Sequence, residues 1–388
     1  MKRIRFSVTC AWFCCVVATD SLAAENATAA SAPGEFVVES LQPIWRARRL
    51  RDPLFFIQVE AGKRPQAALL FKPDRIVSAT SATRQATYES GRDYEFDKAA
   101  NVLRLPKGSR IPFKTLDQLY PLMTSDQPKI PLQKGDKTRG IFFDNAAVYH
   151  QHQIEVTYDC AAGQWKGYVP QFAGASLPRT IVKLRYKKPL RLMLCGDSIS
   201  AGYNASKFSQ VPPGCPAYGE LIALALEKYY GSPVAFKNHA VNGWDSGRGL
   251  RQVVDEKLAE WRPDLVLIAF GMNDVFARDA DTFQKNVLGI MNAIRRDSPA
   301  SEFVLVAPML GNVEWGMPME QFPMYRDALQ QLCRDGVVLA DMTRIWEELL
   351  KHKSFYDLTG NGVNHPNDFG HRVYAQSILS LLVPAAQP

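Results

Sequence analysis

Ser198, Gly243, Asn273 and His365 occur in that order, each in a short polar block that follows or precedes an apolar stretch. Ser198 lies in Gly196-Asp197-Ser198-Ile199-Ser200, directly after the apolar run Leu190–Cys195. A serine hydroxyl is a weak nucleophile until a base takes its proton. His365, in Asn361-Gly362-Val363-Asn364-His365-Pro366, is the candidate base. Charge that develops on an attacked carbonyl oxygen needs fixed donors. Asn242-Gly243 offers a backbone that a substrate can approach closely, and Gly271-Met272-Asn273-Asp274 offers an uncharged amide. A nucleophile, a base and two oxyanion elements are the parts of acyl transfer through serine.

These residues need elements to bring them together. From Leu190 onward the chain alternates strand-like and helix-like segments. The strand-like runs are Leu190–Cys195, Val234–Asn238, Leu265–Phe270, Phe303–Ala307 and Val337–Ala340. Helical patterns lie between them at Tyr218–Tyr230, Leu250–Trp261, Thr282–Arg296 and Met324–Arg334, with two more near Thr343–Lys351 and Asn367–Leu382. Repeated βα units with apolar strands imply a parallel sheet covered on both faces. Ligand sites in such sheets lie beyond the carboxyl ends of the strands. Ser198, Gly243 and Asn273 each fall just past such an end.

The stretch Gly34–Leu184 has a different pattern. Short runs such as Leu54–Val59, Ala67–Phe71, Tyr94–Phe96, Val102–Leu105, Ile154–Tyr158 and Trp165–Val169 are separated by Gly, Pro, Asp and Lys. That spacing suggests a β-sandwich. The junction is expected between Ser176 and Leu190.

With all four blocks present in order, the second half of the chain resembles the SGNH hydrolases, the GDSL esterase/lipase superfamily. The resemblance covers roughly Leu190–Leu382. It implies a flavodoxin-like three-layer α/β/α domain, here behind a jelly-roll-like β-sandwich. The expected organisation is a signal peptide over 1–23, a β domain over 34–184 that could bind carbohydrate, and the hydrolase domain over 189–384. The resemblance also implies an oxyanion hole made by the backbone N–H groups of Ser198 and Gly243 and the amide of Asn273. Asp197 and Asp274 are expected to bond local backbone. The family usually places an aspartate three residues before the histidine, and that position is Gly362 here. Candidate orienters of His365 are a backbone carbonyl, as in family members that resemble this chain in having an N-terminal β domain, then Asp357, with Asn361 and Asp368 also in reach.

Composition narrows the class. The chain has 388 residues, 46% hydrophobic and 22% charged. Lys2, Arg3 and Arg5 precede the apolar run Phe6–Ala18 and a small-residue site at Ser21-Leu22-Ala23, the pattern of a secretory signal peptide. Its loss would change the net charge from +7 to +5. Arg46, Arg48, Arg49 and Arg51 cluster, but without a long basic run or zinc finger nucleic-acid binding is not expected. Of seven cysteines, Cys160, Cys195, Cys215 and Cys333 lie beyond the signal, and three full pairings are open. Cys195 reads as a buried free thiol. There is no G-x-S-x-G, G-x-x-x-x-G-K-[ST] or H-E-x-x-H motif. His150 and His152 would share one face of a strand, but two histidines without a third ligand make no metal site, so no metal or cofactor is expected. His371 is expected to pack.

The expected activity is a secreted or periplasmic serine esterase that removes short acyl groups, acetyl above all, from carbohydrate. Tyr203, Trp244 and Trp315 near the site, and Trp165 and Tyr168 in the β region, are candidates for stacking on sugar rings or for core. No stable membrane insertion is expected after cleavage. Two alternatives stand: a lipase, lysophospholipase or thioesterase of the same superfamily, which a long apolar lid would favour, and a glycan-binding protein with a weak catalytic site.

Overall fold

The computed structural model describes residues 34–133, 135–144 and 147–385. The expected signal peptide lies outside them. Among the described residues no helix is long and apolar enough to cross a membrane.

Among the described residues ten strands form the N-terminal β-rich region: β1 (Arg49–Gln58), β2 (Gln66–Ala68), β3 (Pro73–Ser81), β4 (Thr87–Tyr88), β5 (Glu95–Asp97), β6 (Val102–Arg104), β7 (Phe113–Thr115), β8 (Lys129–Pro131), β9 (Gly140–Phe142) and β10 (Gln153–Cys160). Eight of them run in one hydrogen-bonded path, β4-β3-β10-β1-β2-β6-β5, with β7 also on β1. Pairing is antiparallel except between β7 and β1. The long β1 is the hinge of this region. Arg49–Phe55 pairs with β10, and the last three residues pair with β2 and β7. β8 and β9 form a separate hairpin.

Five strands form the C-terminal sheet: β11 (Leu190–Gly196), β12 (Val234–Asn238), β13 (Leu265–Ala269), β14 (Glu302–Ala307) and β15 (Val337–Asp341). All neighbours are parallel, in the order β12-β11-β13-β14-β15. Counted within this sheet the order is 2-1-3-4-5, a doubly wound order whose direction reverses between β11 and β13. The central strands are apolar on both faces because both are covered. Leu265, Val266, Leu267 and Ile268 are all buried. Each contributes about 1.5–3 kcal/mol of burial, which fixes the loop that follows β13.

The sequence places these five strands to within about a residue and most of their helices to within a few, but the helix expected over Leu250–Trp261 is an α-helix over Ser246–Asp255 followed by a 3-10 turn over Leu258–Trp261. Three other features differ from expectation. Trp165–Val169 is not a strand; Trp165 is buried beside Trp45, and its indole N–H donates to the Tyr168 carbonyl oxygen at 3.1 Å. Tyr168 lies under the Arg344 guanidinium. Trp165 therefore belongs to the core, whereas Tyr168 is half-buried. The nine-residue β3 is unanticipated because Pro73-Asp74-Arg75 looks like a turn. The junction is occupied by the helix Pro178–Arg185, whose first N–H groups, Arg179 and Thr180, are capped by the Glu302 carboxylate of β14.

The two halves share one core. Buried apolar residues from Phe36 and Leu54 through Ile154 to Leu267 and Leu382 form a single cluster. The polar contacts are equally mixed. Arg372, on the helix Asp368–Leu382, meets Glu155 of β10 and Glu39 of the helix Gly34–Ser40. Arg51 of β1 joins the same two glutamates, so part of the basic cluster is spent on an internal ion network. Lys353 and Asp52 form a fully buried pair at 3.0 Å.

Candidate active site

Ser198 opens the one-turn helix Ser198–Ala201 immediately after β11. Asp197 is its N-cap; its carboxylate accepts the Ile199 N–H at 3.0 Å, the preferred cap geometry. Burial pushes the Asp197 carboxyl up to about 7. Asn273 follows β13, so Ser198 and Asn273 flank the point where the strand order reverses, the place where such sheets build sites.

His365 reaches Ser198 from the last loop of the domain, just before the helix Asp368–Leu382. Its Nε2 is 2.9 Å from Ser198 Oγ. Both residues are largely enclosed, Ser198 at 4% and His365 at 8% exposure. Burial, helped by nearby His371, pulls the His365 imidazole down to about 4. The ring packs against Tyr203, with centroids 5.2 Å apart.

On the far side of the imidazole, Asn361 Nδ2 lies 3.1 Å from His365 Nδ1 and 3.2 Å from Asn364 Oδ1. Asn361 Oδ1 accepts three backbone N–H groups, from Val363 at 2.9 Å, Asn364 at 3.0 Å and His365 at 3.2 Å. Of the candidate orienters, Asn361 is therefore the one that contacts the ring. Asp357 points elsewhere. Its carboxylate accepts the Phe55 N–H of β1 at 2.7 Å and the Ser354 N–H and hydroxyl at 2.8 Å each. Asp357 caps a short helix and ties this loop to the β-rich region. Asp368 accepts the Ser206 N–H at 2.7 Å.

The two oxyanion candidates meet through Trp244. The Asn273 side-chain amide donates to the Trp244 carbonyl oxygen at 2.8 Å, and Trp244 follows Gly243 in the loop after β12. Gly243 is exposed, with φ 72°. Asp274 staples these loops, accepting the Ser246 N–H at 2.9 Å and the Gly271 N–H at 3.1 Å. Asp197 and Asp274 are thus both engaged with local backbone. Trp244 also borders an open groove of about 400 Å³ lined by Arg248, Arg251, Asp255 and Glu256. Trp315 meets Phe276 edge to face beyond β14.

The β-rich region supports the histidine loop directly. The Gln153 side-chain amide donates to the carbonyl oxygens of Tyr356 and Thr359, and Gln153 Oε1 accepts from Asn367. Tyr149 packs against Gly362, which sits at φ 73°. This support was invisible in the sequence because its partners are some 200 residues apart. The His150/His152 pair is not on a strand. Both lie on the short helix Val148–His152, where His150 Nε2 pairs with the Pro212 carbonyl oxygen and His152 Nδ1 with that of Val148. Among the described residues no group of three or more His, Cys, Asp or Glu could hold a metal. Cys160, Cys195, Cys215 and Cys333 are all free thiols. His371 is buried, with Nε2 at 3.1 Å from the Tyr203 carbonyl oxygen.

Ser198 and His365 thus meet at the reversal point of a parallel 2-1-3-4-5 sheet in an α/β domain. Residues 194–373 match the model of the GDSL-like Lipase/Acylhydrolase family, and this part of the chain is a domain of that family. No curated protein matches the chain in sequence. Among solved structures, similarity is found to a two-domain esterase active on acetylated mannans, at 19% identity and TM-score 0.44, covering 56% of this chain and 55% of that one. It is also found to a catalytic mutant of an acetylxylan esterase from Geobacillus stearothermophilus, at 20% identity and TM-score 0.40, covering 50% of this chain and 94% of that one. A lipase/acylhydrolase from Enterococcus faecalis aligns at 22% identity and TM-score 0.39, over 49% of this chain and 93% of that one. This chain thus spans little more than half the length of the two-domain esterase.

Proposed function

We propose that the protein is an exported serine esterase that hydrolyses short acyl esters, acetyl above all, on carbohydrate. The observation that carries this is the 2.9 Å Ser198 Oγ–His365 Nε2 contact within a GDSL-like domain. Ser198 attacks the ester carbonyl and His365 takes its proton. The developing oxyanion is met by the N–H groups of Ser198 and Gly243 and the Asn273 amide. His365 then returns the proton to the leaving sugar hydroxyl, and water releases the acyl group by the same steps in reverse. A neutral base suits this role, and burial keeps His365 neutral over most of the pH range.

The low exposure of Ser198, 4%, favours a short acyl group over a long one. The sugar would lie toward Trp244 and its groove. The β-rich region acts as the support of the histidine loop. Export rests on the charged and apolar pattern of residues 1–23. The test is hydrolysis of p-nitrophenyl acetate and of acetylated xylan and mannan beside long-chain p-nitrophenyl esters. Turnover of acetyl esters with little on long chains supports the assignment; preference for long chains would replace it with the lipase alternative.

A further inference from the structure

The polar atoms around His365 fix which ring nitrogen carries the proton. Three backbone N–H groups converge on one side-chain atom of Asn361, and only the amide oxygen can accept them. The Asn361 NH₂ is therefore turned toward the imidazole, 3.1 Å from Nδ1. Flipping the amide would set a fourth donor against three others. An NH₂ facing Nδ1 requires that nitrogen to be an acceptor. A neutral imidazole has one proton, which then sits on Nε2 and is donated to Ser198 Oγ at 2.9 Å.

We infer that Asn361 is a positioning residue that holds His365 in the Nε2–H tautomer, a resting state in which Ser198 accepts a hydrogen bond and cannot yet give up its proton. This deepens the esterase assignment and rests on it. Attack requires the opposite tautomer, with the proton moved from Nε2 to Nδ1 and the Nε2 lone pair free for the serine proton. That state places Nδ1–H against the Asn361 NH₂, donor against donor, in a buried site. An aspartate at 361 would keep the three backbone bonds on one oxygen and accept Nδ1–H with the other. Asn364, whose Oδ1 now accepts from Asn361, can turn its own amide to suit a carboxylate.

The test uses the full chain with ¹⁵N-labelled histidine. The chain has six histidines, so the His365 ring signals are assigned by their loss in His365→Gln. Wild type should show a protonated Nε2 and a bare Nδ1, and Asn361→Asp should reverse the two. The kcat for p-nitrophenyl acetate should rise at least tenfold in Asn361→Asp with KM nearly unchanged. The ceiling is about 10,000-fold, the size of the loss when a serine protease's triad aspartate becomes asparagine. A protonated Nδ1 in wild type overturns the inference, and so does a reversed tautomer with no rise in kcat where wild type is active. The expected tautomers in two proteins that hydrolyse no ester would support the tautomer assignment and sink the esterase assignment, so the two failures are separable.

Discussion

Two glycines near the site, Gly362 and Gly243, have almost the same backbone, φ 73° and φ 72°. An L-residue in that region costs about 1–2 kcal/mol, so this contribution is common to Gly362→Ala and Gly243→Ala. Their surroundings differ. A Cβ at Gly243 meets nothing within 4 Å, whereas one at Gly362 would lie 2.4 Å from the Tyr149 hydroxyl oxygen and 2.9 Å from its Cζ. Tyr149 is fully buried and donates to the Phe142 carbonyl oxygen at 2.6 Å, so it cannot swing aside freely. Overpacking of this kind adds about 1–3 kcal/mol. Gly362→Ala should therefore lose about 2–5 kcal/mol and Gly243→Ala about 1–2 kcal/mol. Tyr149→Phe removes the nearest clashing atom, so the pair Gly362→Ala/Tyr149→Phe should be less destabilised than the sum of its parts, by about 1 kcal/mol. Urea unfolding at constant slope reads these differences. Because Gly362 lies three residues before His365, kcat should also fall in Gly362→Ala; a shift of about 1 Å at a catalytic group costs roughly 100-fold. Equal stability losses for the two alanine variants, or strict additivity with Tyr149→Phe, would refute the claim that the β-rich region props the histidine loop.

Three further outcomes are expected. Asn273→Ala should lower kcat about 100- to 1,000-fold, since one fixed donor to the oxyanion is lost; a loss under threefold would remove Asn273 from the site. The acid limb of kcat/KM should fall near pH 4, not near the ordinary histidine value, because burial and His371 depress His365 and the neutral base persists as pH drops; a limb at about 6.5 would contradict this. Lys353→Met should cost about 3–5 kcal/mol by leaving Asp52 buried without its cation, although Asp52 still accepts the Leu70 N–H and the Tyr158 hydroxyl; calorimetry showing a loss below 1 kcal/mol would mean the pair is hydrated.

The sequence carries the hydrolase half well, for a physical reason. Strands such as Leu265–Ala269 are buried on both faces and appear as unbroken apolar runs, and each polar block then marks a strand end. The β-rich half is harder to read because its strands are short and partly exposed, and β1 divides its pairing among β10, β2 and β7. His150-Gln151-His152 looks like strand alternation but forms the end of a one-turn helix. At the site, sequence spacing shows that Asn361 and Asp357 are near His365. It does not show that Asp357 is taken by Phe55 and Ser354, or that three backbone N–H groups turn the Asn361 amide round. Those facts depend on where β1 passes and on how one tight loop closes.

The most direct measurement is covalent. An alkyl phosphonate directed at activated serines, followed by intact mass and peptide mapping, reports whether Ser198 is a nucleophile. A single adduct on Ser198 in wild type, absent in Ser198→Ala and strongly slowed in His365→Ala, is the expected result. No adduct on wild type, or labelling that persists in Ser198→Ala, would contradict the assignment of acyl transfer to the Ser198–His365 pair.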